Sequence, residues 1–141
     1  MNFSEFPIPT SELNKLYSYP WFEPHMSKHK ASRFLVSTWT NGAFLVRFSR
    51  DKNRFVLSVL ILEETYAKVK HYVIQNTSGL RSGSRFYYLT NDSWFPSIKY
   101  LVKRHIAEVK APLTVRLKVV WKTYFIRQIS LNIIVSFIVH N

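Results

Sequence analysis

The sequence predicts an α+β domain in which a small central antiparallel sheet is flanked by two helices. Three observations lead there. Strand-like apolar runs follow one another between residues 43 and 75 with only polar turns between them, a helically spaced apolar pattern precedes them, and a second one follows. No internal repeat or low-complexity tract points to an array or a solenoid.

Residues 1–19 mix proline, serine and isolated aromatics without a sustained period, and they read as a lead-in that is loosely ordered or packed on the surface. The domain proper is expected over residues 20–118, with 119–141 as a C-terminal extension of unknown structure. From Ser27 to Val36, Ala31, Phe34 and Leu35 fall at helical spacing behind Ser27, a suitable N-cap. Thr40-Asn41-Gly42 is a turn signal, and the run Ala43 to Ser49 that follows has the apolar character of a central strand. Asp51-Lys52-Asn53 makes a polar turn into a second strand, Phe55 to Leu62, so the two read as a hairpin.

Val69 to Gln75 places Val69, His71 and Val73 on one side and Lys70, Tyr72 and Ile74 on the other, the period-two mark of a third strand, expected to be covered on both sides. A loop is expected over Asn76 to Arg85, a short strand over Phe86 to Leu89, and a turn at Asn91-Asp92-Ser93. Pro96 suits a first helical position. Ile98, Leu101, Val102 and His105 then recur at helical spacing while Lys99, Lys103 and Arg104 stay on the polar side. Leu113 to Leu117 is expected as a last short strand. The β-branched run after Trp121 is compatible with an added strand, an added helix or a tail.

With 141 residues, 47% of them hydrophobic and 20% charged, the chain is large and apolar enough for one core without staples. Cysteine is absent, which excludes disulfides, thiolate zinc sites and thiol catalysis, and suits a reducing, cytoplasmic setting. Met1 to Pro9 has no basic region ahead of an apolar run, so no secretory signal is expected. Ile129 to Val139, the most apolar stretch, is too short for the roughly 20 residues a membrane span needs. The net charge of +12 calls for an anionic partner: nucleic acid, an acidic membrane leaflet and a phosphorylated peptide all satisfy it.

Gly42-Ala43-Phe44-Leu45-Val46-Arg47-Phe48-Ser49 decides among them. It resembles the signature of Src-homology-2 domains, in which an arginine inside an apolar strand is followed two residues on by serine. Further matches stand in order: Trp21-Phe22, Leu57-Ser58-Val59, Val69-Lys70-His71-Tyr72 and Phe95-Pro96-Ser97-Ile98. The resemblance runs from Trp21 to about Leu117. Within the family, the sequence is most similar to Tec-type tyrosine kinases at His25-Met26-Ser27, Lys70-His71-Tyr72 and Arg116-Leu117-Lys118.

The chemistry fits the residues. Phosphotyrosine carries a nearly dianionic phosphate on a rigid aromatic stalk, so its receptor needs cationic donors at the bottom of a deep pocket. Arginine offers two parallel N–H groups to two phosphate oxygens, and an apolar strand would hold Arg47 rigid and partly desolvated. Alternation puts Ser49 on the same side. The resemblance implies that Ser49 donates its hydroxyl to the phosphate, that Arg50, Asp51 and Lys52 form the loop that wraps it with backbone N–H groups, and that His71 lies against the phosphotyrosine ring. Lys28 stands where most members of the family have an arginine, and Val73 where many have a lysine, so the cationic walls are thinner than usual. The resemblance further implies that Tyr72, Tyr88, Leu89, Asn91 and Trp94 meet the peptide beyond the phosphotyrosine.

The expected function is thus a phosphotyrosine-peptide binding adaptor in tyrosine-kinase signalling, whose partners are tyrosine-phosphorylated proteins or peptides. The alternatives are a fragment of a Tec-like non-receptor kinase and a basic module that binds nucleic acid or a membrane surface. No nucleic-acid motif supports the last, so no nucleic acid is expected as a partner. An enzyme is not expected either: there are only three glycines, no phosphate-binding glycine loop, and no metal-ligand cluster among five scattered histidines, and neither metal nor cofactor is called for.

Overall fold

In the computed structural model, residues 6–77 and 85–120 are described. Most of the loop expected from Asn76 to Arg85, and the extension from Trp121 onward, lie outside them. Among the described residues eight elements follow in order: α1 (Thr10–Leu16), α2 (Lys28–Thr38), β1 (Phe44–Ser49), β2 (Arg54–Leu62), β3 (Ala67–Val73), β4 (Gln75–Asn76), β5 (Tyr87–Tyr88) and α3 (Ile98–Ala107). β1, β2 and β3 form an antiparallel sheet in that order, and β4 pairs with β5 as a separate two-stranded ribbon. This is the α+β arrangement that the alternating runs predict, with one helix more.

The sheet is covered on both faces, so β2 is buried along almost its whole length and reads as an unbroken apolar run. Strand alternation sorts its side chains. Leu45 and Leu60 pack against Ala31 and Leu35 of α2. On the opposite face Phe44, Val46, Phe55, Leu57, Val59 and Ile61 join Ile98, Leu101 and Val102 of α3 in the larger core. Removing a fully buried side chain such as Leu57 would cost roughly 2–5 kcal/mol.

α2 begins where Ser27 Oγ accepts the backbone N–H of Lys30 at 3.2 Å, and it stops at Trp39, whose φ of 46° is left-handed. Gly42 then turns the chain into β1. Its φ is +87°, and a Cβ there would lie 2.1 Å from the carbonyl oxygen of Arg116, so only glycine lets the two segments meet. The meeting is cemented by Lys118 N–H donating to the Gly42 carbonyl at 2.9 Å. The outer edge of β1 is likewise covered, because Val46 exchanges backbone bonds with Trp21 and Glu23 at 2.8 Å each.

Four expectations change. The lead-in is built into the fold: α1 forms within it, and Phe6, Ile8, Leu13 and Leu16 are buried in the larger core. Its short helical period was hidden by flanking prolines and too few turns to show a stripe. The helix after Phe95 starts two residues later than expected, at Ile98, with Ser97 as N-cap accepting Tyr100 N–H at 3.2 Å, which leaves Pro96 outside. The strand expected over Phe86 to Leu89 shrinks to Tyr87–Tyr88. Leu113 to Leu117 forms no strand: Leu113 and Leu117 are buried as single anchors, and only Lys118 makes a bridge, to Ala43.

Candidate functional site

The α2-facing side of the sheet changes character along its length. It is apolar where Leu45 and Leu60 meet α2, and it turns polar towards the N-terminus of that helix. There the register sets Arg47 opposite Val56, Ser58 opposite His71, and Val56 opposite Val73. Because these positions share one face, their side chains converge below a cleft of about 530 Å³. Ser27, Lys28, Arg47, Phe48, Ser49, Arg50, Asp51, Lys52, Val56, His71 and Val73 line it. All seven residues expected at the phosphate, from α2, β1, β3 and the β1–β2 loop, are thus brought together.

Arg47 is the floor. It is only 6% exposed, and its Nε donates to Ser58 Oγ at 3.1 Å while Nη2 lies 3.4 Å from His71 Nδ1. No carboxylate pairs with it among the described residues. Burial without a counter-ion disfavours the charged form, and it pulls the guanidinium's pKa below the ordinary arginine value. A buried, perturbed cation at the floor of a cleft marks a candidate binding site.

The neighbouring bonds have a direction. Arg47 Nε–H can only donate, so Ser58 Oγ accepts from it and has its own hydrogen to give to His71 Nδ1, 2.7 Å away. Nδ1 is then an acceptor, the ring proton sits on Nε2, and Nε2 donates to Ser32 Oγ on α2 at 3.3 Å. The chain Arg47 to Ser58 to His71 to Ser32 requires a neutral imidazole. Burial first, and then the charges of Arg47 and Lys28, lower the His71 pKa to about 4 and keep it neutral.

Ser49 stands at the rim, where its Oγ accepts Lys52 N–H at 3.4 Å. This bond shapes the β1–β2 loop, which closes with Asn53 in a left-handed conformation at φ 51°. The Ser49 hydroxyl hydrogen remains available to the cleft. Lys28, Arg50, Asp51 and Lys52 are exposed around the opening, and Val56, beside Arg47 on the next strand, and Val73 beyond it add apolar lining. The cleft thus combines cationic and apolar lining, the two kinds of surface an aryl phosphate needs.

Sequence reasoning missed Ser58 and Ser32 as positioning groups, and Ser27, Phe48 and Val56 as lining. Ser58 had a signal: it is the one polar residue inside the apolar run of β2, and it is fully buried. Ser32 had none, since only the packing of α2 on β3 brings it to His71. The residues expected further along a peptide are less unified. Tyr72 lies on the face opposite His71 and packs on the larger core, with its phenol oxygen buried and unpartnered among the described residues. Leu89 also packs on that core. Tyr88 and Trp94 stack at 5.4 Å and 19°, with Trp94 half exposed, and Asn91 is exposed in the intervening turn. Among the described residues no three His, Asp or Glu side chains converge as metal ligands would.

An antiparallel sheet with a helix across one face, and a buried arginine with no carboxylate partner among the described residues at the bottom of the cleft between them, has the form of a phosphate-recognising module. A family model for the SH2 domain matches residues 21–105, and the chain belongs to that family of phosphotyrosine-binding modules of tyrosine-kinase signalling. It is similar to the tyrosine-protein kinase TXK of Mus musculus, 28% identical over 100 residues, a stretch covering 70% of this chain and 18% of the kinase. The tyrosine-protein kinase TXK of Homo sapiens is 27% identical over 100 residues, with the same coverage. The match therefore spans less than a fifth of either relative. Within the family-model match, residues 21–105, fall β1 with Arg47 and Ser49, α2 with Lys28, and β3 with His71.

Proposed function

We propose that the cleft binds the phosphotyrosine side chain of a partner protein, with Arg47 as the principal phosphate ligand. The observation that carries this reading is the Arg47 guanidinium itself: it is buried, its Nε and Nη2 are oriented by Ser58 and His71, and it has no carboxylate partner among the described residues. A phosphate dianion supplies the missing charge and accepts two guanidinium N–H groups at once. Ser49 Oγ and the backbone N–H groups of Arg50, Asp51 and Lys52 reach the outer oxygens, and Lys28 adds charge from α2. The ring lies between His71 and the Val56–Val73 wall. The peptide beyond the phosphotyrosine crosses Tyr72 towards Tyr88, Leu89, Asn91 and Trp94.

In this role the chain recognises a modification and catalyses nothing. It acts either as a cytoplasmic adaptor that recruits tyrosine-phosphorylated partners or as the targeting part of a larger Tec-like kinase. Among the described residues no helix is long and apolar enough to cross a membrane. The reading is tested by titrating phosphotyrosine peptides, with unphosphorylated controls, into the wild type and Arg47→Ala. Loss of one side of a desolvated charge pair costs about 2–5 kcal/mol, so the variant's affinity should fall by tens- to thousands-fold. Equal binding by Arg47→Ala would refute the assignment.

A further inference from the structure

Resting on that binding mode, one more property of the same surface can be read. Lys28 and Ser32 of α2 face the cleft, the first by lining it and the second through His71. The next strip outward on the helix holds His29 and Arg33, one turn apart, with Lys30 beyond, and all three are exposed. From Pro24 to Arg50 the sequence has no aspartate or glutamate. No salt bridge joins Lys28, Lys30 or Arg33 to a carboxylate among the described residues.

The ordinary account of such a strip is a solvated helix face, and local energetics argue against it here. A helix N-terminus carries partial positive charge and favours acidic residues in its first turn. α2 has none there, and it puts Lys28, His29 and Lys30 in that turn instead. Solvated helices also balance their charges at four-residue spacing, whereas this one repeats basic groups. A sequence that breaks local rules without a folding gain is usually serving a site.

We infer that α2 is a second recognition surface, which selects phosphotyrosine peptides carrying acidic residues immediately before the phosphotyrosine. In the proposed mode the residues after the phosphotyrosine run over Tyr72. Those before it therefore leave the cleft across Lys28 and then across the His29–Arg33 strip. Glutamate or aspartate there would meet unpaired cations and offset the repulsion among them.

The test compares anisotropy titrations of the whole chain with four peptides at about 0.15 M salt: uncharged flanks, three glutamates before the phosphotyrosine, three glutamates after it, and three lysines before it. Exposed ion pairs contribute little individually, so the peptide with glutamates before should bind roughly 3- to 10-fold tighter than the uncharged one. The lysine peptide should be weaker, and the gain should fade at about 1 M salt. Arg33→Glu, outside the cleft lining, should erase the gain and leave the uncharged peptide's affinity unchanged. Failure of the uncharged peptide to bind through Arg47 would overturn the binding mode and this inference with it. If that peptide binds normally and glutamates on either side act alike, or Arg33→Glu changes nothing, this inference alone is overturned. It is likewise overturned if Arg33→Glu abolishes binding to phosphatidylserine vesicles while the peptide flanks have no effect, since the strip would then serve a lipid surface.

Discussion

Arg47 gives its Nε proton to Ser58 Oγ across 3.1 Å, and the two sit at cross-strand positions that are not direct partners: Arg47 faces Val56, and Ser58 faces Leu45. The bond is therefore diagonal, and it tilts the guanidinium along the sheet towards His71. Ser58 is fully buried. Its hydroxyl is the only part of that link able both to accept from Arg47 and to donate to His71.

Replacing Ser58 with alanine should leave Arg47 Nε and His71 Nδ1 without their shared partner. A buried polar group left unsatisfied costs about 1–3 kcal/mol, so urea unfolding should register a loss of that order. Phosphopeptide affinity should fall too. Ser58→Thr, which keeps the hydroxyl, should recover more of the affinity than Ser58→Val.

Arg47→Met should abolish phosphopeptide binding without lowering stability, and a modest rise in the urea midpoint is expected. The guanidinium is desolvated with no counter-ion among the described residues, a condition that apolar replacement relieves. A protein unfolded by this change would contradict the view of Arg47 as a cation reserved for a ligand.

His71 makes stability depend on pH in a defined window. Its folded pKa of about 4 is below the ordinary histidine value of 6.5, so the unfolded chain binds the proton more readily. The stabilisation from the neutral ring is complete above the ordinary value, and it is lost as pH falls from 6.5 towards 4. Urea midpoints taken across this range should decline for the wild type, and less steeply for His71→Asn. NMR titration of the ring in the folded chain should show no protonation at pH 6.

Gly42→Ala should be severely destabilising for an exchange that adds a single methyl group. The left-handed φ of +87° and the Arg116 carbonyl 2.1 Å from the new Cβ act together. A cost of about 2 kcal/mol or more is expected in chemical unfolding, together with faster hydrogen exchange at Lys118 N–H.

Lys28→Arg should strengthen phosphopeptide binding several-fold. Lysine offers a point charge at the cleft wall, where arginine would add a planar fork for the phosphate and a face for the ring. An unchanged or weaker affinity would show that the wall is already suited to lysine.

Much of this was legible in the sequence because it is local. Alternation along Phe44–Ser49 and Ala67–Val73 puts Arg47 with Ser49 and His71 with Val73, whatever the strands pack against. The apolar run of β2, broken only by Ser58, already marks a strand, though its burial on both faces came from the packing. The cap Ser27, the polar turn ending at Asn53 and the turn at Gly42 are equally readable, since each rests on the backbone preference of one or a few neighbouring residues.

What the tertiary structure alone decided is everything that depends on a partner distant in sequence. The register between β2 and β3 sets Ser58 against His71, and the seating of α2 brings Ser32 to the ring's other nitrogen, 39 residues away in the chain. Phe6, Ile8 and Leu16 look like fragments of a lead-in until the core they fill is assembled. Residue type and spacing are properties of the chain and can be read along it. Counter-ion, hydrogen-bond partner and burial belong to pairs of segments, and they exist only once folding has placed those segments side by side.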